Sequence, residues 1–148
     1  RGETVATAES CTGGLIANTL TDVAGSSAVF HRGYVTYANE AKTDILGVPS
    51  TLLEMHGAVS EEVVRAMAEG CLSVSGADHA IAVSGIAGPA GGTEAKPVGT
   101  VYIGIASRGI ETFAKRYFYP VERICFKMRV SRLALDLLRR RLCGFPLD

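Results

Sequence analysis

Three segments of this chain carry side chains whose types and spacing suit chemistry. The first is Glu9-Ser10-Cys11-Thr12-Gly13-Gly14, between a short apolar run and a helical one. A side chain at such a junction sits at the mouth of a sheet. The amides after it face outward from the positive end of a helix, where an oxyanion or a phosphate is stabilised. Ser10 is a candidate nucleophile there and Cys11 a rival. Against them stand two ordinary readings, a helix cap rich in Ser, Thr and Gly, and a small core cysteine.

The second segment runs from Tyr34 through Tyr37, Asn39 and Glu40 to Lys42. With Asn39 as N-cap, Lys42 falls in the first turn of a helix, where a cation opposes the dipole and its pKa is pushed down. A lysine must lose its proton to act as a general base, so the placement suits a serine–lysine pair. The alternative is a surface lysine paired with Glu40 or Asp44. The third segment, residues 84–100, has Gly85, Gly88, Gly91 and Gly92 directly after an apolar run. Backbone amides in such a loop can form an anion-binding nest, to which Lys96 adds charge. It ends in no Gly-Lys-Ser/Thr and contains no G-x-G-x-x-G, so it is neither a P-loop nor a dinucleotide turn. A flexible connection is the alternative, although loops this long in compact domains are commonly functional.

Elements must hold these segments in place. Residues 4–8 read as an apolar strand, and Leu15, Ile16, Leu20 and Val23 as one face of the following helix, stopped near Gly25. Residues 33–37 read as a second strand. Asn39 then caps a brief helix through Leu46, with Gly47 at C′ and Pro49 beyond, and Ser50 caps another short turn. Ser60, Glu61 and Glu62 open a longer helix with Val63, Val64, Met67, Cys71 and Leu72 facing inward. Apolar runs over 80–84 and 100–106 flank the glycine-rich connection, and 112–119 is a further strand. Ile124, Met128, Ser131, Leu135, Leu138 and Leu142 recur at steps of four and three, which predicts a long amphipathic helix ending near Arg139, Arg140 and Arg141. Strands alternating with helices predict an α/β sheet covered on both faces, with ligands where strand ends meet helix starts. No repeat or linker divides residues 1–148, so one domain is expected; the first strand lies so near residue 1 that a helix ahead of it is expected too.

Composition bounds the function. A 47% hydrophobic content with 20% charged residues excludes a disordered chain. Fifteen basic residues balance fifteen acidic ones, so no global field draws the chain to nucleic acid or an anionic membrane. The longest uncharged stretch, residues 79–93, is broken by Pro89 and by glycines and is too short to span a bilayer. Cys11, Cys71, Cys125 and Cys143 are scattered, as are His31, His56 and His79, which fits neither a zinc site nor a disulfide framework. Free thiols, no metal, no cofactor and a cytoplasmic location are the expectations.

Taken together the segments closely resemble the CinA C-terminal domain family, the nicotinamide-nucleotide amidohydrolases. The likeness rests on Ala8-Glu9-Ser10-Cys11-Thr12-Gly13-Gly14, on Gly33-Tyr34-Val35-Thr36-Tyr37-Ala38-Asn39-Glu40-Ala41-Lys42, and on Leu46-Gly47-Val48. It continues through His56-Gly57-Ala58-Val59-Ser60, Gly85-Ile86-Ala87-Gly88-Pro89 and Lys96-Pro97-Val98-Gly99-Thr100, and so covers nearly the whole chain. The resemblance implies a three-layer α/β/α sandwich on a mixed, mostly parallel sheet. It implies hydrolysis of the carboxamide of nicotinamide mononucleotide to nicotinate mononucleotide and ammonia. Ser10 would be the nucleophile, Lys42 its base, and Tyr37 a hydroxyl partner in proton transfer or oxyanion stabilisation.

Amides after Ser10, above all those of Thr12 and Gly13 with Gly14 beside them, are the expected oxyanion hole. Gly85, Gly88, Gly91 and Gly92, with Thr93 and Lys96, are expected at the phosphate or ribose, and Asn39 and Arg123 complete the expected contacts. At Pro120-Val121-Glu122-Arg123 the chain departs from the family's Pro-Gly-Asp-Arg-like turn, because valine resists the φ angles glycine allows. The likeness covers none of the metal-dependent pyrophosphatase domain that larger CinA proteins carry, and implies no such activity. The partners expected are a pyridine nucleotide and further copies of the chain, with no nucleic acid and no membrane. A noncatalytic nucleotide sensor and a competence- or damage-related partner-binding module are the competing readings.

Overall fold

The computed structural model describes residues 1–147. In chain order the elements are β1 (Val5–Glu9), α1 (Leu15–Thr21), a 3-10 turn (Ser26–Ala28), β2 (Phe30–Val35), α2 (Asn39–Leu46) and α3 (Ser50–His56). They continue with α4 (Glu61–Ser75), β3 (His79–Gly85), β4 (Thr100–Ser107), β5 (Ile110–Phe118) and α5 (Arg123–Cys143). The five strands form one sheet in the order β2-β1-β3-β4-β5. β1 is parallel to β2 and to β3, whereas β4 is antiparallel to both β3 and β5, so four strands share a direction and β4 opposes them. The sheet is therefore mixed and mostly parallel by strand direction.

Alternation of side-chain size decides how the two faces are covered. Ile81, Val83, Val101, Ile103 and Ile105 pack on one face with Ile16 of α1 and Phe126, Val130, Ala134 and Leu137 of α5. On the other face Ala6, Ala8, Ala80, Ala82 and Ala106 lie against Val63, Val64, Met67 and Ala68 of α4, with Leu46 and Leu53 from α2 and α3. Small residues on that face let α4 sit close: a Cβ on Gly104 would stand 2.9 Å from the Val64 carbonyl oxygen. Helices thus cover both faces, giving three layers.

Ser60 and Gly47 cap where residue type predicts, whereas Pro49 rather than Ser50 holds the N-cap position of α3 and α1 stops at Asp22, ahead of Gly25. Buried Ser60 accepts the Val63 amide at 3.3 Å and donates to the Gly57 carbonyl at 2.9 Å. Gly47, at φ +69°, closes α2. The exceptions have physical reasons. Asn39 is the first helical residue of α2, and Ala38 holds the N-cap position without a side-chain bond. β2 begins at Phe30 and ends before Tyr37, because this sheet-edge strand carries exposed His31 and Arg32 and so lacks an apolar pattern. On α5 the inward face is Phe126, Val130, Ser131, Ala134, Leu137 and Leu138, while Ile124 is 65% and Met128 42% exposed. Two stripes of that helix share the same period, and packing on the sheet selects one. Val23 lies beyond the end of α1 and is exposed. Among the described residues no helix is long and apolar enough to cross a membrane, no acidic, histidine and cysteine side chains cluster as a metal site would require, and all four cysteines are free.

Candidate active site

The four strands that share a direction deliver their C-terminal ends to one edge of the sheet. β1 leads to Ser10, β2 leads to Thr36 and Tyr37, β3 ends at Gly85, and the chain after β5 returns as α5 at Arg123. This is the edge at which open α/β sheets bind ligands. A cavity of about 190 Å³ opens there, lined by Ser10, Cys11, Tyr37, Asn39, Lys42, Ala58, Val59, Ser84, Gly85, Ala87 and Arg123. A larger hollow of about 470 Å³ between α2 and α3 is lined by Glu40, Asp44, Glu54 and neighbours, and holds no nucleophile beside a base.

Lys42 is no surface residue. It is 1% exposed, and its Nζ lies 3.3 Å from Ser10 Oγ. The same nitrogen donates to the carbonyls of Thr36 at 2.9 Å, Tyr37 at 3.1 Å and Ala38 at 3.4 Å. The backbone leading into α2 therefore wraps the amine and aims it at Ser10. Burial lowers its pKa from the ordinary lysine value, against smaller opposing effects of Cys11 and Glu40. Desolvation of the ammonium, rather than the helix dipole, heads the causes. As a neutral amine the group would keep two donors for the nearer carbonyls and present its lone pair to the serine hydroxyl.

Cys11 stands beside Ser10 but is buried, and that burial pushes its thiol up to about 12. A thiol held protonated at neutral pH is a poor nucleophile.

Glu9, whose role residue types alone do not disclose, organises the loop. Its fully buried carboxylate accepts the Thr12 hydroxyl at 2.6 Å and the amides of Gly14 at 3.0 Å, Ile16 at 3.0 Å and Ala17 at 2.8 Å. The protein thus supplies its own anion to the start of α1. Gly13 donates to the Ser10 carbonyl at 3.1 Å. Among the amides following Ser10, those of Cys11 and Thr12 have no acceptor among the described residues, whereas Gly13 and Gly14 are engaged. A lone carboxylate closing an otherwise uncharged strand, just before a helix, is the signal that marks Glu9.

Tyr37 is 61% exposed, and its phenol accepts from Arg123 at 3.2 Å. The other arm of Arg123 donates to the Gly88 carbonyl at 2.9 Å, so the guanidinium ties the glycine loop to the rim of the cavity. Val121 and Glu122 therefore leave Arg123 at the site. Of the expected binding residues, Asn39, Gly85 and Arg123 line the cavity, whereas Thr12, Gly13, Gly14, Gly88, Gly91, Gly92, Thr93 and Lys96 do not. Lys96 Nζ donates to the His56 carbonyl at 2.6 Å, and Thr93 accepts the Lys96 amide, so this part of the loop is fastened to the end of α3.

A family model, the CinA C-terminal domain, matches residues 1–142. A "CinA-like protein" of Akkermansia muciniphila is 62% identical over 130 residues, covering 88% of this chain and 31% of that protein. The chain spans about a third of the length of such relatives. A relative from Escherichia coli K12 named "Nicotinamide-nucleotide amidohydrolase PncC" is 51% identical over 138 residues, 93% of this chain and 84% of that one. Among solved structures, the competence/damage inducible protein CihA from Agrobacterium tumefaciens superposes with a TM-score of 0.90 at 47% identity, covering 93% of this chain and 84% of that one. The competence damage-inducible protein A from Klebsiella pneumoniae gives 0.93 at 41%, covering 99% and 90%. Fold, motif order and sequence identity thus converge, and the chain belongs to the CinA C-terminal domain family.

Proposed function

We propose that this chain hydrolyses the carboxamide of a nicotinamide nucleotide, with nicotinamide mononucleotide the substrate implied by the resemblance. The observation that carries the mechanism is the 3.3 Å approach of buried Lys42 Nζ to Ser10 Oγ. The E. coli relative's name supports the substrate class. Neutral Lys42 takes the Ser10 proton as Oγ attacks the amide carbon, and the developing oxyanion is met by the Cys11 and Thr12 amides. Collapse of the tetrahedral intermediate breaks the C–N bond. The proton on Lys42 passes to the departing nitrogen, which leaves as ammonia. Water then attacks the acyl-enzyme and gives a proton to Lys42; the acyl C–Oγ bond breaks, Lys42 returns the proton to Ser10 Oγ, and nicotinate mononucleotide departs. The Tyr37 carbonyl helps hold the base, and its phenol, bridged to Arg123, borders the substrate's path.

The test is ammonia release from nicotinamide mononucleotide, with chromatography of the acid product, for the wild type and Ser10→Ala. Turnover should fall at least about 10³-fold in the variant, in keeping with loss of a nucleophile, while ligand binding persists. Binding without acid formation by the wild type would instead identify a nucleotide sensor.

A further inference from the structure

We propose that Lys127, four residues beyond Arg123 on α5, completes a phosphate clamp at the mouth of the Ser10 cavity. The clamp makes the site select phosphorylated substrates over the phosphate-free nucleoside. The proposal rests on the amidohydrolase reading for its substrate and on the following geometry for the residue.

The start of α1, otherwise a ready phosphate site, is closed to a ligand because Glu9 already occupies its Gly14, Ile16 and Ala17 amides. An incoming phosphate must find its charge elsewhere. The ammonium of Lys127 lies beside the Ser10 loop, 3.6 Å from where a Cβ on Gly13 would stand. Arg123 lines the cavity itself, and Lys127 stands outside that lining. Residues four apart on a helix are neighbours on its surface, so the two cations share one face. Neither makes an ion pair among the described residues, and the first turn of α5 carries no acidic residue. Two like charges near a helix N-terminus oppose both each other and the dipole, an arrangement that a bound dianion relieves.

Size points the same way. A cavity of about 190 Å³ is smaller than a pocket that encloses a whole ligand of nucleotide size, roughly 300–1,000 Å³. It takes the amide-bearing ring beside Ser10 and leaves ribose and phosphate outside, on the side where Arg123 lines the cavity and Lys127 reaches over Gly13.

The experiment compares wild type, Lys127→Met and Lys127→Arg on nicotinamide mononucleotide and nicotinamide riboside, with calorimetry of ribose 5-phosphate binding alongside. Loss of one charge-assisted contact should raise KM for the mononucleotide about tenfold in Lys127→Met, with the effect in KM rather than kcat. The rise for the riboside should be several-fold smaller, ribose 5-phosphate should bind about tenfold more weakly, and Lys127→Arg should restore most of both. Equal effects on the two substrates, or an unchanged KM for the mononucleotide, would overturn the clamp, as would failure of the wild type to bind ribose 5-phosphate. If ribose 5-phosphate binds in a Lys127-dependent manner but no ammonia forms, the amidohydrolase reading fails and the clamp stands. A thermal melt of each variant separates loss of fold from loss of contact.

Discussion

Lys42 combines burial with three carbonyl acceptors and a serine hydroxyl within 3.4 Å of its nitrogen. The carbonyls set its direction, and burial sets the sense of its pKa shift. In the proposed mechanism its reactive form is the neutral amine, whose share grows as pH rises, and its folded pKa lies below the ordinary 10.5. The amidase rate should therefore climb with pH through a single group below that value and then level off. Lys42→Met should abolish turnover and remove this limb; a rate profile flat on the alkaline side in the wild type would exclude Lys42 as the base. The neighbouring thiol makes an independent prediction. Because Cys11 is held protonated up to about 12, the proposed ammonia release should stay within about threefold of wild type in Cys11→Ala and should survive thiol alkylation near pH 7.

The junction between β1 and α1 is built around Glu9. A helix start leaves several amides without intrahelical partners, and here three of them and a threonine hydroxyl converge on one carboxylate. Glu9→Ala should lower stability by about 2–4 kcal/mol in urea denaturation, since it leaves buried donors unsatisfied. An isolated cap loss, about 1 kcal/mol, would show that the amides find other partners. Placement of these elements was legible in the residue types: Ser60, Gly47 and the run of Val63, Val64, Met67 and Cys71 mark their helices because local chemistry decides caps and amphipathic faces. The inward face of α5 was not. Ile124 and Met128 fit the same period as Phe126 and Val130, and only contact with the sheet distinguishes the stripes.

The three layers are spaced by the sheet's own alternation. Large aliphatics fill the α1–α5 face, whereas alanine and Gly104 on the other face let α4 approach the sheet closely. Gly104→Ala would place a Cβ 2.9 Å from the Val64 carbonyl oxygen and 3.2 Å from Ala68 Cβ, against a helix backbone that cannot swing aside. It should cost about 1–3 kcal/mol on denaturation, while the Ser10 edge, formed by other residues, keeps its chemistry in the variant that still folds. An unchanged midpoint would mean that α4 shifts freely on the sheet. The strand directions also explain how distant segments meet. Ser10, Tyr37, Gly85 and Arg123 follow four strands that end on one side, although they span more than a hundred residues of chain.

The order of strands and helices, the family, and the segments that hold Ser10, Lys42 and the glycine loop were legible in the residues alone, because periodicity, capping and motif spacing are local properties. The tertiary structure decided what those segments do to one another. It buried Lys42 against Ser10 and made desolvation the leading cause of its lowered pKa. It spent three amides of α1 on Glu9, leaving those of Cys11 and Thr12 without acceptors. It drew Lys96 away to His56 while bringing Arg123 to the rim and Lys127 over Gly13. The partners of Glu9 lie within eight residues of it, but every other outcome depends on which remote groups compete for one donor, one acceptor or one volume, and that competition exists only once the sheet has brought them together.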